Sequence, residues 1–132
     1  MFDRYQQFYD QADAIAQARI AARRLSSDPK VVGGFMDRFA RDQMRDWLAS
    51  ELISEGAGSV IQVNRYLRNP AGANWRVPDI RIPGANIIFD GTISPSKIAS
   101  TPQIVDFRLF SGGNHVVIVR PTRLGGSYGI VP

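Results

Sequence analysis

The hydrophobic period of this chain changes once, from helical to extended, and the change falls at Gly56–Gly58. Before it, Tyr5, Phe8, Tyr9, Ala12, Ile15, Ala16 and Ile20 recur at three- and four-residue steps, which predicts an amphipathic helix over residues 2–25. Ser26-Ser27-Asp28-Pro29 stops it, and Gly33-Gly34 predicts a second break. Phe35, Met36, Phe39, Met44, Trp47, Leu48, Leu52 and Ile53 then form a stripe, with Asp37, Arg38, Arg41, Asp42, Arg45 and Asp46 on the other side. Such a stripe is a helix face that packs against a sheet. Gly56 and Gly58 close that helix, as C-terminal glycines do.

After the glycines the chain is β-branched and turn-rich. Residues 59–67 and 75–82 predict the two arms of a hairpin around the turn Asn69–Asn74. Pro83-Gly84 turns the chain again, and residues 86–93 predict a central strand. Thr101-Pro102 predicts a helix start, with Thr101 as cap and Pro102 at the first helical position. Ser111-Gly112-Gly113-Asn114 ends it, and residues 115–120 predict a buried strand parallel to the central one, because a helix crosses between them. The expectation is one domain of the α+β class with an α/β core, in the order α-β-β-β-α-β after a leading helix. Residues 1–34 form the helical lead-in, 35–120 the core with its mixed sheet, hairpin and one crossover helix, and 121–132 a glycine-rich tail.

Composition narrows the chemistry. A chain of 132 residues builds one ordinary core. No run of about 18 apolar residues occurs, so no membrane span is expected. The polar, acidic start from Asp3 on reads as no signal peptide. There is no cysteine, hence no disulfide framework, thiolate metal site or thiol nucleophile. A single histidine, His115, excludes a His-rich zinc site. Residues 1–66 hold 9 Lys/Arg against 9 Asp/Glu, and residues 67–132 hold 7 against 3, so the whole +4 excess sits in the extended half. Of the 16 cations only Lys30 and Lys97 are lysines. Arginine forks suit phosphate, although an Arg-favouring codon usage gives the same bias.

The carboxylates of the basic half are Asp79, Asp90 and Asp106. Asp79 follows Pro78 on the second strand, and Asp90 lies 11 residues on, on the third. One tight turn between antiparallel strands brings both to one end of the sheet. Two adjacent carboxylates repel, and sharing a divalent cation keeps them ionised. Oxygen ligands suit Mg²⁺ or Mn²⁺, which retain waters and accept a substrate phosphate. Such an ion polarises a phosphate and acidifies water. Lys97, seven residues after Asp90, is placed to orient water or neutralise developing charge. Asp106 reads as a surface partner for Arg108 or another arginine.

The element order, with Pro78-Asp79 and Asp90-Gly91-Thr92, resembles the restriction-endonuclease-like PD-(D/E)xK nucleases over about residues 36–120. Gln103, four residues ahead of Phe107, resembles the Gln-x-x-x-Tyr element of some members. The resemblance implies Mg²⁺- or Mn²⁺-dependent phosphodiester hydrolysis, of DNA through the family and with RNA open. It implies Asp79 and Asp90 as metal ligands, Glu51 or Glu55 as an added acid, and Lys97 and Gln103 as catalytic partners. Two positions depart from the pattern: Thr92 stands where the family has Lys, and Phe107 where it has Tyr. In its helical lead-in, Asp-Gly-Thr strand and Val-Arg-Pro-Thr strand end, the chain also resembles the C-terminal toxin domains of bacterial polymorphic toxins, of the Rhs and contact-dependent inhibition types. That implies release or delivery within a larger protein, action in the target-cell cytoplasm, and a cognate immunity protein.

Arg65, Arg68, Trp75 and Arg76 around the hairpin, with Arg120 and Arg123 near the tail, are candidate nucleic-acid contacts. Arg and aromatic residues are also ordinary cross-strand pairs. Two other readings stay open. One is a metal-independent ribonuclease using His115 with Arg120, Thr122 or Tyr128. The other is a module that binds nucleic acid or protein without catalysis.

Overall fold

Asp28 starts the second helix earlier than the glycine pair predicts. In the computed structural model, which describes residues 1–56 and 58–130, α1 spans Phe2–Ala21 and α2 spans Pro29–Ser50. The Asp28 carboxylate accepts the Lys30 N–H at 2.9 Å, and Pro29 takes the first helical position. The helix then runs straight through Gly33-Gly34. Each glycine costs about 1 kcal/mol in a helix. The cap, and burial of Val32, Met36, Ala40, Met44 and Leu48, offset that cost. The lead-in boundary expected at residue 34 therefore falls inside one helix. At the far end α2 stops before Gly56: Leu52 has a left-handed φ of 58°. Leu52 and Ile53, expected on the apolar stripe, are exposed instead.

The expected strand over 59–67 is split by Asn64, whose φ of 55° is also left-handed. The two pieces are β1 (Gln62–Val63) and β2 (Leu67–Arg68), and they join different sheets. β2 pairs with β3 (Trp75–Arg76), while β1 pairs with β4 (Ile80–Ile82), both antiparallel. The hairpin thus forks. β4 pairs antiparallel with β5 (Ile87–Gly91), and β5 pairs in parallel with β6 (His115–Val119). The crossover helix α3 (Pro102–Ser111) joins β5 to β6 as expected. Thr101 stands at its N-cap, but the hydroxyl accepts the Ile98 N–H instead of capping the helix. The glycine-rich tail is not a loop throughout. Tyr128–Ile130 forms β7, antiparallel to β6 at the sheet edge, and residues 131–132 of that tail lie outside the described residues. The five-stranded sheet runs β1-β4-β5-β6-β7, mixed as predicted.

Strand alternation divides the core in two. Tyr5, Tyr9, Ala12, Met36, Met44 and Leu48 of α1 and α2 pack with Val63, Ile80, Phe89 and Val119 on one face. Ile104 and Phe107 of α3 pack with Leu67, Ile88, Val116 and Ile118 on the other. Each fully buried side chain of this size contributes about 1.5–3 kcal/mol relative to exposure. The sheet end holding Asp79 and Asp90 is enclosed between these layers. Among the described residues no helix is long and apolar enough to cross a membrane.

Candidate active site

The β4–β5 register pairs Ile80 with Phe89, which sets Asp79 opposite Asp90. A short 3₁₀ turn at Pro83–Ala85, with Asn86 in the left-handed region, makes this possible. The two aspartates interlock through the backbone. The Asp79 N–H donates to Asp90 Oδ1 at 3.3 Å, and the Gly91 N–H donates to Asp79 Oδ2 at 2.6 Å. Both are nearly closed to solvent, at 4% and 3% exposure.

Lys97 and Gln103 converge on the other oxygen of Asp90. Lys97 Nζ and Gln103 Nε2 each lie 3.3 Å from Asp90 Oδ2, and Lys97 Nζ donates to Gln103 Oε1 at 3.2 Å. The loop after β5 is held so that this can happen: the Lys97 N–H donates to the Tyr128 hydroxyl at 2.9 Å. Gln103 projects from the first turn of α3. Thr92 is buried and structural. Its N–H extends the ladder to Val119 O, and its hydroxyl accepts the Ser94 N–H. The structure thus gathers Asp79, Asp90, Lys97 and Gln103 into one cluster.

Three further residues join it that the patterning left out. Arg41 NH1 donates to Asp79 Oδ1 at 3.1 Å. The Tyr9 hydroxyl donates to Asp37 Oδ1 at 2.8 Å. Asp37 and Arg41 are four apart on α2 and share a face. They flank Met36 and Ala40, and that adjacency to buried positions is the signal that marks them. Tyr5, buried beside them, brings a hydroxyl close enough to Asp79 to lower its proton affinity.

Electrostatics follow from the crowding. Burial, then the charge of Asp79, pushes Asp90 up to about 8, while Lys97 holds it back. Burial, then Asp79, pushes Asp37 up to about 7, against the Tyr9 hydrogen bond and Arg41. Burial raises Asp79 as well, opposed by the Gly91 N–H and Arg41. The hydroxyls of Tyr5 and Tyr9 are pushed up by burial and these carboxylates, so both stay protonated. A cleft of about 570 Å³ opens beside the cluster. Asp37, Lys97, Tyr9 and Gly91 reach its wall from one side, and Lys30 with Gly33-Gly34 line another part.

Glu51 and Glu55 do not share a helix face. Glu51 is the exposed C-cap of α2, and Glu55 lies in the loop beyond. Glu55 is taken up by Arg45 at 3.3 Å, Arg65 at 3.2 Å and the Val63 N–H. Among the described residues no group of three or more His, Cys, Asp or Glu side chains forms a ready metal cage, so neither glutamate is gathered with Asp79 and Asp90. The donor set of Asp79 and Asp90 still fits a hard divalent cation. It is all oxygen, its proton affinity is raised chiefly by burial, and Mg²⁺ characteristically takes one or two carboxylates.

The expected nucleic-acid contacts divide. Arg76 is paired with Asp106 at 2.8 Å, and Arg123 grips Asp13 with two hydrogen bonds of 2.9 Å. Arg120 ties Gly126 O and Pro95 O and lies over the Tyr128 ring. Arg65, Arg68 and Trp75 remain at the surface near Tyr66. His115 is exposed at the start of β6, whereas Arg120 lies five residues on, about 16 Å along an extended chain. Thr122 is bound to Asp10, and Tyr128 pairs with Ile118. The structure does not assemble a His115 constellation. No family model, curated protein or solved structure matches this chain.

Proposed function

We propose that this chain is a metal-dependent nuclease, an Mg²⁺- or Mn²⁺-using endonuclease acting on phosphodiester bonds. The observation that carries the reading is the convergence of Lys97 and Gln103 on Asp90, interlocked with Asp79 beside an open cleft. A divalent ion held by Asp79 and Asp90 would polarise the phosphate and supply hydroxide from bound water.

The chain's own groups do the rest. Arg41 and the Gly91 N–H fix Asp79, so its oxygens need no reorganisation. Lys97 Nζ, on the cleft wall, aligns the attacking water and offsets the negative charge that grows on the phosphate. Gln103 steers Lys97 through Oε1. Asp37 presents a carboxylate at the same wall with a proton affinity near neutrality, suited to moving a proton. DNA is the favoured substrate through the resemblance to PD-(D/E)xK nucleases. The separate resemblance to polymorphic-toxin domains supports extending the proposal to a toxin domain delivered into a neighbouring cell and neutralised by an immunity protein.

The test is the purified chain on plasmid DNA and on RNA, with Mg²⁺ or Mn²⁺. Cleavage is expected with metal, and its loss in EDTA and in Asp79→Ala and Asp90→Ala proteins. Undiminished cleavage by either variant, or in EDTA, removes the reading. Growth arrest on expression of the wild type, relieved by Asp90→Ala, is the expected cellular counterpart.

A further inference from the structure

We infer that the cleft between the β1–β4 edge and the β2–β3 pair binds single-stranded nucleic acid, its phosphates on Arg65, Arg68 and Arg81 and an unpaired base on Tyr66 and Trp75. Arg65, Arg68, Arg81, Gln62, Tyr66 and Gly58 enclose about 400 Å³. A second hollow of about 190 Å³ shares Tyr66 and Arg68 with it and adds Trp75. The inference deepens the nuclease reading and rests on it for the strand's continuation to Asp90, not for the site itself.

Charge is the first argument. Four arginines outside the cleft, Arg41, Arg45, Arg76 and Arg123, pair with carboxylates. In the cleft, Arg68 and Arg81 have none among the described residues, and Arg65 shares Glu55 with Arg45. Arg81 is the telling case. Its Nε is buried without an acceptor, and burial lowers the pKa of its guanidinium. The rest of its guanidinium opens on the cleft without a carboxylate partner, and a phosphate oxygen is an acceptor whose geometry its fork fits.

The aromatics are the second argument. Tyr66 and Trp75 are 60% and 52% exposed, held edge-to-face at 5.6 Å, with Arg68 over the Tyr66 ring at 5.7 Å. Exposed rings set beside a basic groove form a stacking platform for unpaired bases.

Position is the third. Arg81 pairs with Ile88, and Asp90 lies two residues further along β5. Alternation puts Arg81, Ile88 and Asp90 on one face, the α3 face to which Ile88 contributes. The offset is about 6.6 Å along the strand and about 4.8 Å across it, which is one or two nucleotides. Arg81 therefore lies close to the carboxylates, with the fully buried Ile88 between them.

The test reads binding without metal, so that it is independent of cleavage. Fluorescein-labelled 12-mers of deoxythymidine and of uridine, and a 12-base-pair duplex, are titrated by anisotropy into the full chain in EDTA at several salt concentrations. Single strands are expected to bind more tightly than the duplex. Arg68→Gln and Arg81→Gln each weaken binding and lower the salt slope by about 0.7. Trp75→Ala weakens it roughly ten-fold with the slope kept. Tight binding of both 12-mers identifies the shared backbone chemistry, and preference for one names the source. Absence of oligonucleotide binding overturns the inference and leaves the arginines to an acidic protein surface. Preference for the duplex, or wild-type binding by both Trp75→Ala and Arg81→Gln proteins, also overturns it. Exposed Arg68 and Trp75 tolerate substitution, and unchanged melting of those two variants verifies folding. A chain that binds in this way and never cleaves with metal loses the nuclease reading and keeps the site; cleavage with none of these binding effects does the reverse.

Discussion

Lys97 reaches back seven residues to Asp90, its Nζ 3.3 Å from Oδ2 and 3.2 Å from Gln103 Oε1. The ammonium is both the counter-charge of a buried carboxylate and a donor at the cleft wall. Lys97→Ala is expected to slow single-turnover DNA cleavage by about 10²–10³-fold at saturating metal, the usual loss for one donor aimed at developing charge. Affinity for the oligonucleotide should change little. Lys97→Arg should recover part of the rate. Wild-type turnover by the alanine protein would take Lys97 out of the mechanism.

The carboxylates make both stability and metal binding pH-dependent. Asp37 and Asp90 hold their protons up to about 7 and about 8, against an ordinary 3.8. The folded state therefore binds protons more tightly than the unfolded chain. This contribution is complete below about pH 4 and is lost as pH rises through 7 and 8. Metal-free protein should melt several degrees lower at pH 9 than at pH 6, and Asp90→Asn should flatten that profile. Mg²⁺ or Mn²⁺ replaces the protons, so metal affinity should rise across pH 7–8 with proton release on binding. Calorimetric titration in two buffers of different ionisation enthalpy counts those protons. A melting temperature that climbs from pH 6 to 9 contradicts the account.

Asp79, Asp90, Lys97 and Gln103 are legible in the sequence because local order places them: a Pro-Asp pair, a tight turn, an apolar strand ending in acid, a helix opening at Pro102. Asp37 and Arg41 are not. They fall on the polar side of the second helix, and only the packing of α2 across the sheet end turns them inward. Tyr9 reads as core and is core, yet its hydroxyl serves Asp37. Sheet order on the β5–β6 side follows from the crossover rule, whereas β7 escapes it. Gly125, Gly126 and Gly129 lower strand propensity, and the free edge of β6 supplies the missing hydrogen bonds from a distance. The start of α2 is the opposite case, where one cap outweighs two glycines.

Gly91 is a glycine for reasons of space. A Cβ there would stand 2.5 Å from Tyr9 Cε1 and 2.8 Å from Cζ. The ring cannot retreat without giving up Asp37. Gly91→Ala should destabilise the chain by about 1–3 kcal/mol, the cost of overpacking a filled core. Chemical denaturation measures it. Tyr9→Ala in the same chain should make the Gly91→Ala step far smaller, since the clash is gone. Equal costs in both backgrounds would place the strain elsewhere.

Gly34 is a glycine in a helix interior with open space where a side chain would go: nothing lies within 4 Å of its Cβ position. That space is the cleft beside Asp37 and Lys97. Gly34→Ala should stabilise α2 by up to about 1 kcal/mol, because alanine loses less chain entropy. Gly34→Phe keeps a helical backbone but fills part of the cleft. Its melting temperature should stay within a few degrees of wild type while cleavage falls by at least ten-fold, mostly as a rise in KM. Full activity in a folded Gly34→Phe protein would mean that substrate reaches Asp90 by a path other than this cleft.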